Sequence, residues 1–585
     1  MLQLRPAFLD VSDSLTGRRW VGPTIEEDRL AQGMAREAGL DVALALTLVR
    51  RGVDAEAVRG FLDPRLRDLL PDPLSLRDMG PAAARVVRAA LGGERVAVFA
   101  DYDVDGAASA ALLLAWLRAF GVRATLYVPD RIEEGYGPNE PAMARLGASH
   151  DLILCVDCGT LSHGPVAAAR GADVVILDHH MGGETLPACA AVVNPNRQDE
   201  AGDLGHLCAA GVVFLLLVEA NRQLRGQGRE GPDLLGLLDL VALATVADVA
   251  PLTGVNRALV RQGLAVMARR ARPGLAALAD VAGLGSAPTC HHLGYVLGPR
   301  VNAGGRVGQA DLGARLLATD DPSEALALAR RLDAHNGERR GIEAVVQAEA
   351  LAQAEARGWD GPLAWAAGEG WHPGVVGIVA ARLKEAAGRP AVVIALDGAT
   401  GKGSARSVAG VDLGAAIQRL ASEGLLLRGG GHRMAAGLTV EREKLDAAMA
   451  RLGDLLARQG AGIGGASDLA LDGVLMPRAA SLDLVDGIER AGPFGAGAPS
   501  PRFAFPDLAV SHARTVGSGH LKVTLTDGMG GRLDAIAFGA AEGSLRALQP
   551  GQGRFHVAGR LEVNHWQGRR SVQLMLEDAA PARRV

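Results

Sequence analysis

The sequence predicts an α/β protein of several domains, with a parallel sheet covered by helices in its first half and an all-β barrel at its C-terminal end. Short β-branched apolar runs alternate with helical stretches between residues 95 and about 180: RVAVFA, ATLYV, DLILCV and DVVIL. This alternation is typical of a parallel sheet with helices on both faces. From about residue 467, strand-like runs are separated by Gly-rich turns, which indicates a small barrel.

The chain is too long for one hydrophobic core. It has 585 residues, whereas single cores stop growing at about 250 to 300 residues. Breaks in pattern and composition predict five segments: a helical lead-in over 1–90, the parallel-sheet domain over 91–270, linker helices over 271–360, a second α/β domain over 361–465 and the barrel over 466–585.

Composition limits the classes of function. The net charge of −5 gives no overall attraction to a polyanion, so nucleic acid would have to bind in a local basic groove. Five scattered cysteines do not form a disulfide framework and suit a reducing compartment. The sequence shows no secretory signal, and its longest apolar run, 207–220, is too short to cross a bilayer. We therefore predict a cytoplasmic protein without a membrane segment.

Three of the predicted strands stop at an aspartate: Asp101, Asp157 and Asp178. In open parallel sheets ligands bind beyond the carboxyl ends of the strands, so these side chains are expected to meet in one crevice. The neighbouring sequence adds further carboxylates and imidazoles from Asp103, Asp105, His179 and His180. Carboxylates this close need compensating charge. The donor set suits Mn²⁺ or Mg²⁺, with room for two ions.

Each of these motifs has an alternative interpretation. DYDVDG also opens a calcium-loop pattern, but the twelfth position is Leu112 instead of the closing Glu. A solvated loop is the alternative for Asp178-His179-His180, although it directly follows a buried strand. Cys155-Val-Asp-Cys158 lacks the second pair of a zinc site and reads as packing thiols. The run GKGS at 401–404 lacks two required residues of a phosphate-binding P-loop.

The motifs resemble the DHH phosphoesterase superfamily, and within it the RecJ branch of single-strand-specific exonucleases. The similarity is carried in order by VAVFADYDVDGAASAALL, PDRIEEGYG, ILCVDCGT, VVILDHHMGG, LATVADVAPLTGVNR and GPRVNAGGRVG. It continues with GEGWHPGVVGIVAARL, GKGSARSV and GGGHRMAAGL, which resemble the DHH-associated domain. RAGPFGAGAPSPRF and HLKVTLTD resemble the RecJ OB-fold. About residues 90–585 are covered.

The resemblance implies roles for individual residues. It implies metal ligation by Asp101, Asp103, Asp105, Asp157, His179 and Asp248, with Asp105 and Asp157 the better candidates for bridging two ions. Roles close to the reaction are implied for Asp105, His180, Arg300, Asn302 and Arg306. Substrate contacts are implied for Arg131, Tyr136, Ser404, Arg406, Ser407, Gly431 and His432. Phe503, Phe505 and Trp566 are candidates for base stacking or for the barrel core.

The activity implied is that of a two-metal exonuclease that degrades single-stranded DNA from 5′ to 3′ in DNA repair and recombination. Single-stranded DNA is the expected partner, a helicase and a single-strand-binding protein are further candidates, and a monomer is expected. Two alternatives were kept open. One is a DHH phosphodiesterase for oligoribonucleotides or other small phosphodiesters, and the other is a non-catalytic replication scaffold.

Overall fold

The structure is a computed structural model that describes residues 6–582 apart from 132, 463–466, 518 and 567. The side chains of Ser467 and Trp566 also lie outside the description. The chain forms two compact units. The smaller unit consists of the described residues of 1–70, 251–261 and 465–585. The larger unit consists of the described residues of 71–250 and 262–464. The five-segment division of the sequence stays a prediction.

The helices are α1 (Ile25–Ala38), α2 (Val42–Arg50), α3 (Val58–Leu62), α4 (Leu66–Leu69), α5 (Met79–Gly92), α6 (Val104–Arg118), α7 (Glu140–Ser149), α8 (His163–Ala168), α9 (Ala209–Gly226), α10 (Leu238–Ala247), α11 (Gly254–Met267), α12 (Pro273–Val281), α13 (Gly298–Val307), α14 (Leu312–Ala318), α15 (Pro322–Arg357), α16 (Val376–Ala387), α17 (Leu413–Ser422), α18 (Leu445–Ala457) and α19 (Leu482–Arg490).

The strands are β1 (Arg18–Val21), β2 (Val96–Ala100), β3 (Thr125–Tyr127), β4 (Leu152–Val156), β5 (Asp173–Leu177), β6 (Ala191–Val193), β7 (Ala364–Glu369), β8 (Ala391–Asp397), β9 (Thr400–Arg406), β10 (Arg428–His432), β11 (Ala435–Glu441), β12 (Ser467–Ala470), β13 (Gly473–Val474), β14 (Phe503–Val516), β15 (His520–Thr526), β16 (Arg532–Ala537), β17 (Arg554–Trp566) and β18 (Arg569–Pro581).

The first sheet of the larger unit is fully parallel, in the order β3-β2-β4-β5-β6. The four predicted strands are confirmed, and β6 is an addition. Every residue of β2 and β4 is buried, as expected for strands covered on both faces. The chain leaves β2 for the edge strand β3 and then returns to pair β4 with β2. The strand order therefore reverses between β2 and β4, which is where such sheets bind ligands.

The second sheet of this unit has the order β10-β11-β9-β8-β7, with β7 and β8 parallel and the other neighbours antiparallel. The predicted helix near residue 374 is α16. The predicted linker contains one long helix, the 36-residue α15, whose first turn is capped by Asp321 and starts with Pro322. Upstream of α15 the chain forms several short helices and a π-helical turn over His292–Leu297. Pro273 and Pro299 lie in the first turns of α12 and α13, where a missing backbone N–H costs no hydrogen bond.

The smaller unit contains the predicted barrel, in the order β13-β14-β15-β16-β18-β17, closed by pairing of β14 with β17. Its core includes Phe503 and Phe505, each 0% exposed. Those two rings are two residues apart on one strand, so they point to the same inner face. The stacking role considered for them is therefore wrong, and the core interpretation holds. Trp566, the third candidate, has a side chain outside the described residues.

Two further observations concern the whole described chain. No helix within it combines the length and the apolar character that a membrane crossing requires. None of the five cysteines forms a disulfide within the described part.

Candidate metal centre and substrate pockets

The loop that follows β2 is held by its own carboxylates. Asp103 caps α6, because its Oδ1 accepts hydrogen bonds from the backbone N–H groups of Asp105 at 2.8 Å and Gly106 at 3.1 Å. The Val104 N–H donates to Asn302 Oδ1 at 3.0 Å. Gly106 cannot be replaced easily, since an added Cβ would lie 2.4 Å from the carbonyl oxygen of Asp101. The tight loop thus fixes three carboxylates beside one another.

Asp105 is buried and its carboxylate reaches the start of another helix. Its two oxygens accept hydrogen bonds from the first backbone N–H groups of α9, Ala209 at 2.6 Å and Ala210 at 2.8 Å. Unpaired N–H groups and the helix dipole favour negative charge at this position. The α9 terminus therefore orients Asp105 toward the crevice.

Asp101 and Asp157 end the two strands at which the sheet order reverses. Both are buried, Asp157 to 1% exposure. In each carboxylate the Oδ1 atom accepts no hydrogen bond from the described residues. Asp157 also has a φ of 60°, in the left-handed region that non-Gly residues rarely adopt. A buried carboxylate oxygen without a donor, on a strained residue, indicates a site for a ligand.

His179 joins carboxylates that are far apart in the sequence. Its Nε2 lies 3.2 Å from Asp157 Oδ1 and 3.8 Å from Asp105 Oδ2, and its Nδ1 lies 3.8 Å from Asp248 Oδ2. Asp248 directly follows α10, so that helix brings it to the crevice. Donor atoms within 4.8 Å of one another form three groups, namely Asp101 with Asp103 and Asp157, Asp105 with His179 and Asp248, and Asp157 with His179 and His180. The structure thus brings together all the residues for which metal ligation was predicted.

Asp178 has a different role, because its carboxylate holds the histidine loop and belongs to none of the three donor groups found among the described residues. It accepts five hydrogen bonds: at Oδ2 from the N–H and the hydroxyl of Thr160, and at Oδ1 from the N–H groups of His179 and His180 and from His180 Nδ1. The His180 contact is 2.8 Å. Although burial opposes its charge, these donors, His180 first, lower the pKa of Asp178. Asp178 therefore positions the imidazoles.

The pKa values show that these carboxylates lack compensating charge. Burial first, and then the neighbouring carboxylate of Asp103, raises the pKa of Asp101 and of Asp157 well above the ordinary range. Burial, followed by the charges of Asp105 and Asp103, raises the pKa of Asp248 to about 8. Divalent cations would let the whole cluster ionise. Oxygen-rich donors with one or two imidazoles are the set that Mn²⁺ and Mg²⁺ bind, so the residues fit these ions.

His180 and Tyr136 complete the crevice. Burial alone would lower the pKa of His180, but its hydrogen bond with Asp178 raises it to about 9. The Tyr136 hydroxyl donates to the backbone oxygen of Asp157 at 3.1 Å and lies 3.2 Å from His180 Nδ1. Tyr136 was predicted as a substrate contact. Its hydroxyl lies beside the metal-ligand candidates.

A cationic pocket of about 350 Å³ lies between the loop after β3 and the second sheet. Its lining includes Arg131, Lys402, Ser404, Arg406 and Gly431. The three cations have no carboxylate within 4.0 Å among the described residues. Burial, and then the charge of Arg131, lowers the pKa of Arg406. An anion would relieve both effects.

Other predicted substrate residues differ in placement. Ser404 Oγ accepts from Arg406 at 2.9 Å, which fixes the guanidinium in the pocket. Gly431 has a φ of 151°, and an added Cβ would lie 2.4 Å from Ala436, so only Gly suits this position. Ser407 is buried and donates to the carbonyl of Val411 at 2.8 Å, so we favour a structural role for it. For the exposed His432 the substrate contact stays a prediction.

A second cavity, of about 600 Å³, is lined by Arg300, Asn302 and Arg306 together with residues that the sequence reasoning missed: Tyr295, Asn336, Arg339, Arg340, Glu343 and Arg382. Arg306 donates to the carbonyl of Gly374 at 3.1 Å. Burial, then repulsion from Arg131 and Arg339, lowers the pKa of Arg306 to about 10. Since Asn302 also binds the loop after β2, this cavity adjoins the metal-ligand cluster.

Comparison with known proteins places this geometry in a family. The DHH family N-terminal domain matches residues 95–245, the DHHA1 domain 360–458 and the RecJ OB domain 471–578. The single-stranded-DNA-specific exonuclease RecJ of Dickeya dadantii is 39% identical over 556 residues, which cover 90% of this chain and 92% of that relative. The chain belongs to the RecJ family. The predicted resemblance is thereby confirmed.

Solved structures support the same membership. RecJ from Thermus thermophilus in complex with Mn²⁺ matches with a TM-score of 0.80 and 31% identity, covering 96% of this chain and 79% of that one. The same RecJ in complex with Mg²⁺ matches with a TM-score of 0.74 and 31% identity, over 96% and 78% of the two chains. The predicted fold class, an α/β protein with a C-terminal OB-fold, is confirmed.

Proposed function

We propose that this protein is an exonuclease that hydrolyses single-stranded DNA from the 5′ end, releases mononucleotides and requires Mn²⁺ or Mg²⁺. The observation that carries the proposal is the buried carboxylate cluster at the reversal of the parallel sheet, in a chain of the RecJ family. A scaffold without activity gives no reason to bury so many carboxylates together. The OB domain match argues against a phosphodiesterase for small substrates.

Two cations would be held by the residues that converge on the crevice: Asp101, Asp103, Asp105, Asp157, His179 and Asp248. Asp157 and His179 each belong to two of the three donor groups. Asp157, whose carboxylate offers two oxygens, stays with Asp105 a candidate to bridge the two ions. When bound, such ions neutralise the scissile phosphate and activate water for in-line attack. This ligand set is the prediction made from the sequence, and it is now supported by distances.

The remaining residues of the crevice act on the phosphate and the leaving group. His180, whose pKa is raised by its hydrogen bond with Asp178, presents its imidazole beside the cluster. It is placed to donate a hydrogen bond to the phosphate, or a proton to the sugar oxygen that leaves as its bond to phosphorus breaks. Asn302 fixes the loop that carries the carboxylates. Arg306, which has no carboxylate within 4.0 Å among the described residues, supplies positive charge to the adjoining cavity, whereas Arg300 is paired there with Asp333 at 2.9 Å.

The pocket formed by Arg131, Lys402, Ser404 and Arg406 binds the 5′-terminal phosphate of the strand. Three cations without acidic partners line this pocket, and glycines in its wall let backbone N–H groups come close to a bound anion. Together they form a site for a phosphate group. Arg406 is the best-defined member, because Ser404 fixes its guanidinium. A 5′-terminal phosphate bound in this pocket places the 5′ end of the strand at the active site. Degradation therefore proceeds from that end.

The OB-fold offers a surface for the rest of the strand. Arg514 and Lys522 are directly opposite each other on β14 and β15, and neither has a carboxylate within 4.0 Å among the described residues. Like charges in such a pair repel unless an anion lies over them. Phe538, 61% exposed, stands next to His520 with ring centroids 4.9 Å apart. Cations beside exposed rings are typical of single-strand binding.

The cellular setting stays a set of predictions. We expect the protein to act as a cytoplasmic monomer in DNA repair and recombination, where a helicase or a single-strand-binding protein would supply its substrate. The five cysteines outside disulfide bonds are compatible with a reducing compartment.

The substrate is tested with the purified chain, Mn²⁺, and three labelled substrates: single-stranded DNA, the matched blunt duplex and single-stranded RNA of the same sequence. The proposal predicts mononucleotides from the 5′ end of the single strand and little release from the duplex. Equal rates on duplex and single strand, or release from the 3′ end, would refute it.

A further inference from the structure

The π-helical turn His292–Leu297 places an aromatic side chain in solvent at the arginine-lined cavity. Tyr295 is 74% exposed, although its ring also lines that cavity. Large aromatic side chains normally bury most of their surface, so a ring left this open needs an explanation. π-Helical turns are rare and frequently occur at functional sites.

The ring of Tyr295 is already stacked on one side. His291, also exposed, lies with its ring centroid 5.0 Å from that of Tyr295 and the two planes inclined by 24°. The turn continues into α13, which carries Arg300, Asn302 and Arg306. The aromatic pair is therefore fixed by the same element that connects the cavity to the metal-ligand loop.

The chemistry of the cavity identifies the kind of group that would cover the ring. Five arginines line the cavity, at positions 300, 306, 339, 340 and 382. Arg300, Arg339 and Arg382 are paired with Asp333, Glu343 and Glu385. Arg306 and Arg340 have no carboxylate within 4.0 Å among the described residues, so the lining keeps a net positive charge. Such a lining attracts a chain of phosphates. A flat aromatic face next to it accepts a nucleobase, because every base has a π-face.

We propose that Tyr295, backed by His291, is a stacking platform for one nucleobase of the single strand, a few nucleotides from the scissile phosphate. This inference rests on the proposed function and deepens it, since it assigns a base contact to a site otherwise described by its charges. Base stacking is independent of nucleotide sequence, so Tyr295 can bind any base. The contact is lost only at an abasic residue.

The experiment measures kcat and KM on a 5′-phosphorylated oligonucleotide and on a series in which a single abasic residue is moved along the strand. Tyr295→Ala raises KM for the intact strand by about tenfold, the magnitude expected for one base–aromatic stack. Tyr295→Phe keeps the wild-type KM, because the ring is sufficient. Val345→Ala, which truncates an exposed apolar side chain on α15, serves as the matched control and leaves KM unchanged.

The abasic series separates stacking from a general loss of structure. In the wild-type protein, an abasic residue at one position raises KM by about as much as Tyr295→Ala does, and combining the two changes gives no further rise. An unchanged KM in Tyr295→Ala, or effects that add at every abasic position, overturns the inference while leaving the exonuclease proposal intact. If the wild-type protein does not degrade the intact strand, the proposed function fails and this inference with it.

Discussion

Replacing Asp178 with asparagine removes one negative charge from the histidine loop without changing the volume of the side chain. Asp178 Oδ2 accepts from the Thr160 N–H at 3.1 Å and from the Thr160 hydroxyl at 2.6 Å. The hydroxyl can turn and accept instead, but the backbone N–H would face an amide NH₂ and lose its partner. If the amide flips, the NH₂ group faces the N–H groups of His179 and His180 instead.

One buried donor without a partner costs about 2 kcal/mol, so Asp178→Asn lowers the free energy of unfolding by that amount. Activity falls further than stability accounts for. The neutral amide no longer has the charge that raises the pKa of His180, and in the flipped orientation it also no longer accepts the hydrogen bond that orients this ring. Loss of such a partner to a metal ligand or its neighbour reduces activity or metal affinity by about 10- to 100-fold. Urea unfolding and the rate of mononucleotide release, measured over a Mn²⁺ titration, test both effects.

Asp397→Asn is the matched control, since Asp397 also ends a strand but is exposed. The control should change the free energy of unfolding by less than about 0.5 kcal/mol and leave activity unaltered. Wild-type activity and stability in Asp178→Asn would refute the positioning role of this carboxylate.

The metal cluster, the terminal pocket and the OB surface yield further predictions. Asp157→Asn abolishes activity yet raises the melting temperature in EDTA, because it removes a buried carboxylate that its neighbours repel; a lower melting temperature by scanning fluorimetry would contradict this. Mn²⁺ raises the melting temperature of the wild-type protein and has little effect on that of Asp157→Asn, so equal shifts in the two would argue against the ligand set. Arg406→Ala raises KM about tenfold for a 5′-phosphorylated strand and leaves KM unchanged for a 5′-hydroxyl strand, a difference that steady-state kinetics resolves. Arg514→Ala and Lys522→Ala each lower the slope of log affinity against log salt for long single strands by about 0.7, as measured by fluorescence anisotropy, and an unaltered slope would exclude them as phosphate contacts.

The parallel sheet and the metal residues on its loops could be predicted because the signal is local. Three of the strand runs are followed directly by an aspartate, and parallel strands bring their ends together whatever the rest of the chain does. Asp248 has no such signal. It follows an apolar helix, and only the tertiary position of α10 brings it within 3.8 Å of His179. The sequence pointed to it through family resemblance alone.

Side-chain direction accounts for most of the remaining differences. Strand alternation buries Phe503 and Phe505, whereas Phe538, just beyond β16, faces solvent. Ser407 lies next to a pocket residue in sequence but turns its hydroxyl to Val411. Tyr295 is exposed to solvent within a π-helical turn, in which side chains point in other directions than in an α-helix. None of these orientations follows from residue type or spacing.

If the buried carboxylates form the metal site of a single-strand exonuclease, removing one of them must nearly abolish hydrolysis, and a side-by-side comparison of rates decides this. Wild-type protein and Asp157→Ala are given a 5′-phosphorylated single-stranded DNA with Mn²⁺, and the release of mononucleotides from the 5′ end is followed. We expect rapid release by the wild-type protein and a rate at least about 1,000-fold lower in the variant, the scale lost when a transition-state contact is removed. Comparable rates for the two proteins would show that these carboxylates are not the metal site of the reaction.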